Sequence, residues 1–427
     1  MSRTRIVGGK ITETIGGDLN YYSAKDIINS AEETYTEQST IGISHSGNPE
    51  SPPPPKTNAK CIIHFRPNKS WKGEYGFDWP RIGDSKLEVD KMYDGIIGSY
   101  GSEYATEPSA IFTPSANAYS NCLREYKIFN IDIDTYYIPY MTLGKDKEAI
   151  LDVISYVNDI PDKLEYKYDK NLFEVTILKK INKSKGKNYN ENALKIKCLN
   201  EFSSNNFIEI FATKNGLEEK VGGILILANN AIKNVKVLMV KIEYNKNIGS
   251  FKDRIEQKYI VNALNQSLIS AEVEEYFTKF TIKGNFFSDL FFTTKNKKGD
   301  KVMDTSRFRS LHRYIDDKFM ALKHNQDKYS NYYRVYCLPD SLNLNGVAED
   351  IGGNSKVVIA FENRKNHTTV SHELLHAMGL YHTFDNDSKH TFKYKNTNNI
   401  MDYTHIDGKD RFTTSYWQWK ILRKVIK

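Results

Sequence analysis

The sequence predicts a multidomain, β-rich chain: an N-terminal β-repeat segment, a central β-sandwich region of one or two modules, and a C-terminal α+β domain. Three observations predict it. At 427 residues the chain exceeds one ordinary core, because domains run to ~100–200 residues. Aromatic residues make up 12%, led by 28 Tyr and 21 Phe, a bias toward pleated, half-buried surfaces. The local pattern also changes twice, from a period of eight to strand-like alternation, and then to strands alternating with helices.

The first element is a repeat. Ile11, Leu19, Ile27, Tyr35 and Ile43 are spaced by eight, and Ile15, Ser23, Ala31 and Ser39 keep the same step. One apolar register beside one of mostly small residues suggests short stacked strands over residues 1–50. Such a stripe is too short to cover itself and calls for other chains or a docking partner. A plain β-meander gives a similar alternation, and both readings stand. The run Ser51-Pro52-Pro53-Pro54-Pro55-Lys56 cannot join a sheet, so residues 51–57 read as a semi-rigid linker.

Residues 58–232 read as a β-rich adaptor, with strands expected near 110–112, 128–133, 173–177, 193–198, 207–210 and 224–227. A third regime occupies residues 233–427. Strands are expected at 235–240, 277–282, 332–336 and 357–361, with helices over 255–264 and 308–322. That alternation marks a mixed α+β unit large enough for an enzyme.

Charge and cysteines exclude several classes. The formal charge is +7, but acidic and basic residues are interleaved, as on a solvated surface and not on a nucleic-acid interface. Cys61, Cys122, Cys198 and Cys337 form no C-x-x-C pair, so buried free thiols are expected. The first residues carry no apolar core, and no stretch reaches the ~18 apolar residues of a membrane span. Export, if it occurs, is expected to use no ordinary cleaved signal.

The chemistry concentrates in residues 368–382. On a helix, Val370, Leu374, Ala377 and Met378 share one face, while His372 and His376 lie one turn apart on the other. Gly379 suits the positive φ that ends a helix, which lets the chain swing His382 round as a third ligand. Three neutral imidazoles leave a fourth position to water, the arrangement of a catalytic Zn2+ site. Chance produces this extended pattern in about one chain of such length in fifty thousand, so coincidence does not account for it.

His372-Glu373-x-x-His376-x-x-Gly379-x-x-His382, followed by Asn399-Ile400-Met401-Asp402-Tyr403, resembles the zinc helix and Met-turn of the metzincin metallopeptidases. Gly379-Leu380-Tyr381-His382-Thr383-Phe384 and the later Phe412-Thr413 are most similar to the pappalysin-like branch, although cysteines near the motif are missing. The resemblance implies a metzincin-like catalytic domain over 233–427 acting on a protein or peptide substrate. In it His372, His376 and His382 bind zinc, Glu373 is the general base, Met401 forms a floor beneath the ion, and Tyr403 bonds the developing oxyanion. The strand at 357–361 is either the one that pairs with substrate or a wholly interior strand. His390 and His405 read as solvated loop residues. Asp385, Asp387 and Asp402 are each placed to orient a ligand imidazole, and the sequence does not choose among them.

The front half carries a second resemblance. Phe65-Arg66-Pro67 with Trp71-Lys72-Gly73-Glu74-Tyr75-Gly76-Phe77-Asp78-Trp79 is similar to a shared module of type VI secretion toxins of Bacteroidetes-type bacteria. Tyr136-Tyr137-Ile138-Pro139 and Ile196-Lys197-Cys198-Leu199 sit where that module continues into an immunoglobulin-like region. The octads resemble those of contractile-injection spike proteins, which assemble as three-chain β-prisms. Together these imply an effector made in the cytoplasm, secreted on a spike protein, active in a recipient cell and matched by an immunity protein, with a homotrimer through the repeats. The alternatives are a non-enzymatic spike or structural component with an inactive metal site, and an extracellular nutritional protease.

Overall fold

The computed structural model describes residues 35–38, 60–101, 110–131, 134–244, 247–281, 293–295, 301–303, 308–339, 344–362, 365–403 and 408–426. The chain divides into two units, Met1–Thr57 and Asn58–Lys427. In the first, the octad positions Ile11, Leu19, Ile27 and Ile43 and the proline run lie outside the described residues, and Tyr35 is exposed.

The second unit's front half holds thirteen strands: β1 (Cys61–Pro67), β2 (Gly76–Asp78), β3 (Ile97–Tyr100), β4 (Phe112–Pro114), β5 (Ile128–Ile131), β6 (Asp134–Tyr137), β7 (Tyr140–Thr142), β8 (Glu148–Val157), β9 (Lys163–Lys167), β10 (Phe173–Ile177), β11 (Gly186–Cys198), β12 (Asn206–Lys214) and β13 (Leu217–Ile226). Among the described residues a 3-10 turn at Tyr93–Gly95 and one α-helix, α1 (Ala116–Leu123), interrupt them. Sheets β1-β8-β11-β10 and β2-β7-β13-β12-β9 close over one shared core that includes Phe65, Phe77, Leu151, Ile196, Ile208 and Ile224. The aromatic run is part of that core, with Trp71, Tyr75, Phe77 and Trp79 all buried.

The second half contains β14 (Lys233–Tyr244), β15 (Asn247–Ile248), α2 (Asp253–Asn265), β16 (Ile269–Glu275), β17 (Phe280–Thr281), β18 (Thr293–Lys295), β19 (Lys301–Met303), α3 (Phe308–Met320), α4 (Lys323–Tyr329), β20 (Tyr333–Leu338), β21 (Gly346–Ala348), β22 (Val357–Phe361), α5 (Thr369–Ala377), β23 (Thr391–Phe392) and α6 (Tyr416–Val425). Its main sheet runs β16-β14-β20-β22-β21; the first four strands are parallel and β21 closes the edge antiparallel. Alternate residues bury both faces, as a parallel sheet covered on both sides requires. Val237, Met239, Val335, Cys337, Val358 and Ala360 pack under α2, α5 and α6. Leu238, Val240, Tyr336, Ile359 and Phe361 pack under Leu311, Ile315 and Phe319 of α3.

Residue 232 separates these strand sets along the chain, yet they are interlocked in space. Trp71 packs edge-on against Phe412 at 5.4 Å, Thr142 donates through its hydroxyl to the Gln266 carbonyl at 3.0 Å, and Tyr416 N donates to buried Asp78 at 2.8 Å. The four cysteines are free and buried, and burial pushes the Cys61 thiol up to about 12. Among the described residues no helix is long and apolar enough to cross a membrane.

The expectation that 357–361 meets substrate is overturned. Strand β22 pairs with β20 on one side and β21 on the other, and all five residues are buried, so it is interior. Among the described residues the edge strand on this side is β21.

Candidate metal centre

Helix α5 starts where Asn366 takes over the first orphan donors. Its side-chain oxygen accepts from Thr368 N and Thr369 N, each at 3.0 Å. Val370, Leu374, Ala377 and Met378 face the core, which turns His372 and His376 toward the opposite side. The helix ends as the sequence predicts. Gly379 adopts φ +98°, Gly379 N donates to His376 O at 2.9 Å, and Leu380 N donates to Leu375 O at 3.0 Å, the paired bonds of a glycine-terminated helix.

The turn carries His382 back to the helix. His376 Nε2 lies 3.1 Å from His372 Nε2 and 3.0 Å from His382 Nε2. Each ring is held by its other nitrogen: His372 Nδ1 donates to Ile400 O at 2.7 Å, His376 Nδ1 to Leu380 O at 2.6 Å, and His382 Nδ1 to Asp385 Oδ2 at 2.9 Å. Carbonyl and carboxylate oxygens only accept, so the Nδ1 atoms carry the protons and three Nε2 lone pairs point at one another. That convergence is repulsive unless a cation sits among them. Nitrogens about 2.1 Å from one tetrahedral ion stand ~3.4 Å apart, within a few tenths of the observed separations. The buried group His372, His376 and His382 can therefore hold a metal ion, and among the described residues it is the only such His/Cys/Asp/Glu cluster.

Electrostatics keep His376 neutral. Burial, and then the neighbouring His382 and His372, hold His376 well below the usual histidine range. Glu373, half-buried beside them, is pushed by burial up to about 8, against the opposing bond in which Ala348 N donates to its Oε2 at 3.0 Å. Burial also raises the Tyr403 hydroxyl, with Glu373 adding to the effect, so it stays a donor. The Tyr403 ring stands 4.9 Å from His382 and 5.8 Å from His372.

The turn Asn399–Tyr403 lies against α5 through the Ile400 carbonyl, and a bridge from Asn399 to Thr413 and Ile400 N donating to Thr413 O at 2.8 Å brace it. Met401 is fully buried in the cluster that holds Leu374 and Met378. Of the three aspartates, only Asp385 bonds a ligand ring. Asp402 is buried and accepts from Lys395 N, Thr397 N and Tyr403 N, so it shapes the turn. Asp387 is exposed. His390 is buried, contrary to expectation, because it packs edge-on against Trp417 at 5.8 Å. His405 lies outside the described residues.

Sequence reasoning missed the Asn366 cap, the two carbonyls that hold His372 and His376, and Phe384, stacked on His382 at 4.6 Å and 11°. Asn366 two residues before Thr368 was a readable signal; main-chain acceptors leave none. No protein-family profile matches the chain, and no curated protein matches it.

Proposed function

We propose that the chain is a zinc-dependent endopeptidase of the metzincin type, with pappalysin-like features, carried as an effector on a contractile-injection spike. The convergence of three Nε2 lone pairs, two of them from the helix that also carries Glu373, carries the enzymatic part of the proposal. His372, His376 and His382 hold the zinc ion. When bound, the ion lowers the pKa of a coordinated water to ~7 and polarises the scissile carbonyl. Glu373 takes the proton of the attacking water on its carboxylate and later delivers it to the leaving amine. Tyr403, kept protonated by burial, donates to the oxygen on which charge develops.

Substrate positioning falls to β21. Glu349 N donates to Val357 O at 3.1 Å and Phe361 N to Asn345 O at 3.0 Å, so the intervening backbone of Gly346 and Ala348 turns away from β22; Ala348 N is bonded to Glu373 Oε2 at 3.0 Å, which leaves the two carbonyls to an added strand. An extended peptide pairs there as an added strand, a mode that fixes the carbonyl without requiring a sequence. Gly346 is needed because a Cβ would stand 2.8 Å from Glu373 Cγ and 2.9 Å from Thr369 Cγ2. The strand thus lies flush against α5.

The delivery part rests on the octad spacing and the Trp71–Trp79 motif. It names a spike protein and an immunity protein as partners, a three-chain assembly of the repeats, and a recipient-cell protein as substrate.

The enzymatic proposal is tested on zinc-loaded wild type and Glu373→Ala with an unfolded protein substrate. Cleavage should fall by up to ~10⁴-fold in the variant while zinc is retained. Near-wild-type turnover in Glu373→Ala would remove the assignment, and an uncleaved substrate with both would leave a structural component.

A further inference from the structure

We propose that the β3–β4 hairpin is part of the metal centre, with Tyr100, Phe384 and Asn386 acting as positioning residues for His382. The inference rests on reading the three histidines as metal ligands and adds who orients the third. His372 and His376 stand on α5, and main-chain carbonyls of Ile400 and Leu380 hold their rings. His382 lies beyond the helix, and no strand occurs after it until β23.

The contacts that set its ring lead to the hairpin. Phe384 stacks face to face on His382 at 4.6 Å and is buried in one apolar cluster with Tyr100, against which Phe112, Tyr394 and Tyr403 pack. Asn386 clamps the Tyr100 main chain in both directions: Tyr100 N donates to Asn386 Oδ1 at 3.0 Å, and Asn386 Nδ2 donates to Tyr100 O at 2.8 Å. The Tyr100 hydroxyl accepts from Tyr394 N at 2.7 Å. Thr391 and Phe392 of β23 pair with Gly98 and Ile97 of β3, and Lys393 N donates to Ile96 O at 2.7 Å. Asn386 and residues 391–394 are therefore bonded to a strand and its flank 286 or more positions earlier in sequence.

An imidazole offers its lone pair in the ring plane, so whatever fixes that plane fixes the ligand. The stack on Phe384 fixes one degree of freedom and the Asp385 bond another, and both residues belong to the loop that the hairpin pins. The metal centre is complete only with the hairpin docked, and residues 233–427 alone lack that brace.

The test uses full-length protein, zinc affinity by chelator competition, and the visible spectrum of the cobalt(II)-loaded form as a report on ligand geometry. Asn386→Ala, at an exposed position, and Tyr100→Ala should weaken zinc binding about 10–100-fold and change the cobalt bands. Tyr100→Phe keeps the ring and should recover most of the affinity. Ile208→Ala, in the sandwich core, should lower thermal stability and bind metal as wild type does. Unchanged affinity and spectrum in both alanine variants, or an equal loss in Ile208→Ala, would overturn the proposal. A wild type that takes up no metal would instead overturn the ligand reading beneath it.

Discussion

Helix α5 and the loop behind it orient the converging imidazoles in opposite ways. On the helix, His372 and His376 are neighbours because 3.6 residues make a turn, and carbonyls of Ile400 and Leu380 orient both rings. On the loop, His382 depends on side chains: Asp385 below one nitrogen and Phe384 against its face. The helical half is oriented by main-chain carbonyls, one of them 28 residues on at Ile400. The loop half is oriented by side chains and is open to mutation, so its substitutions discriminate between the two.

After Glu373, the largest effect is expected at Tyr403. Tyr403→Phe should lower kcat by ~10²–10³-fold, the cost of one oxyanion donor, with zinc affinity unchanged in a chelator titration. A weakened zinc site would mean that Tyr403 supports His382 instead of the reaction.

Next comes Asp385. Asp385→Ala should weaken zinc about 10–100-fold, because His382 loses the acceptor that fixes its tautomer. An affinity equal to wild type would show that the Phe384 stack alone suffices, and would place the loop half closer to the helical half than its geometry implies.

The same contrast explains what the sequence could reveal. The HExxH spacing, the apolar face of α5 and the cap at Gly379 follow from a few neighbouring residues, so they were legible. The run at 357–361 was ambiguous, because five apolar residues in a row fit an interior strand and a substrate-pairing one equally; the two-sided pairing of β22 decided it. Neither the docking of Tyr100 on Asn386 nor the burial of His390 beside Trp417 leaves a local trace. The choice of Asp385 over Asp387 and Asp402 needed the turn geometry that puts Asp385 on His382.

The smallest effect concerns the approach to α5. Burial alone would raise Asp410, but bonds from His367, Lys72 and Tyr259 override it and hold the carboxyl at about 2. Its folded value is below the unfolded one, so its stabilisation is complete above about pH 4 and is lost as pH falls toward 2. The contribution, on the order of 1–2 kcal/mol, should appear as a steeper acid decline of the urea midpoint in wild type than in Asp410→Asn. Parallel curves would show that this junction of Lys72, Tyr259 and His367 adds nothing to stability.

The central claim is that three imidazoles converge on one ion. Elemental mass spectrometry of protein purified without chelator tests it most directly. The account predicts about one zinc per chain in wild type and almost none in His376→Ala, whose Nε2 lies between the other two. A metal-free wild type would contradict it.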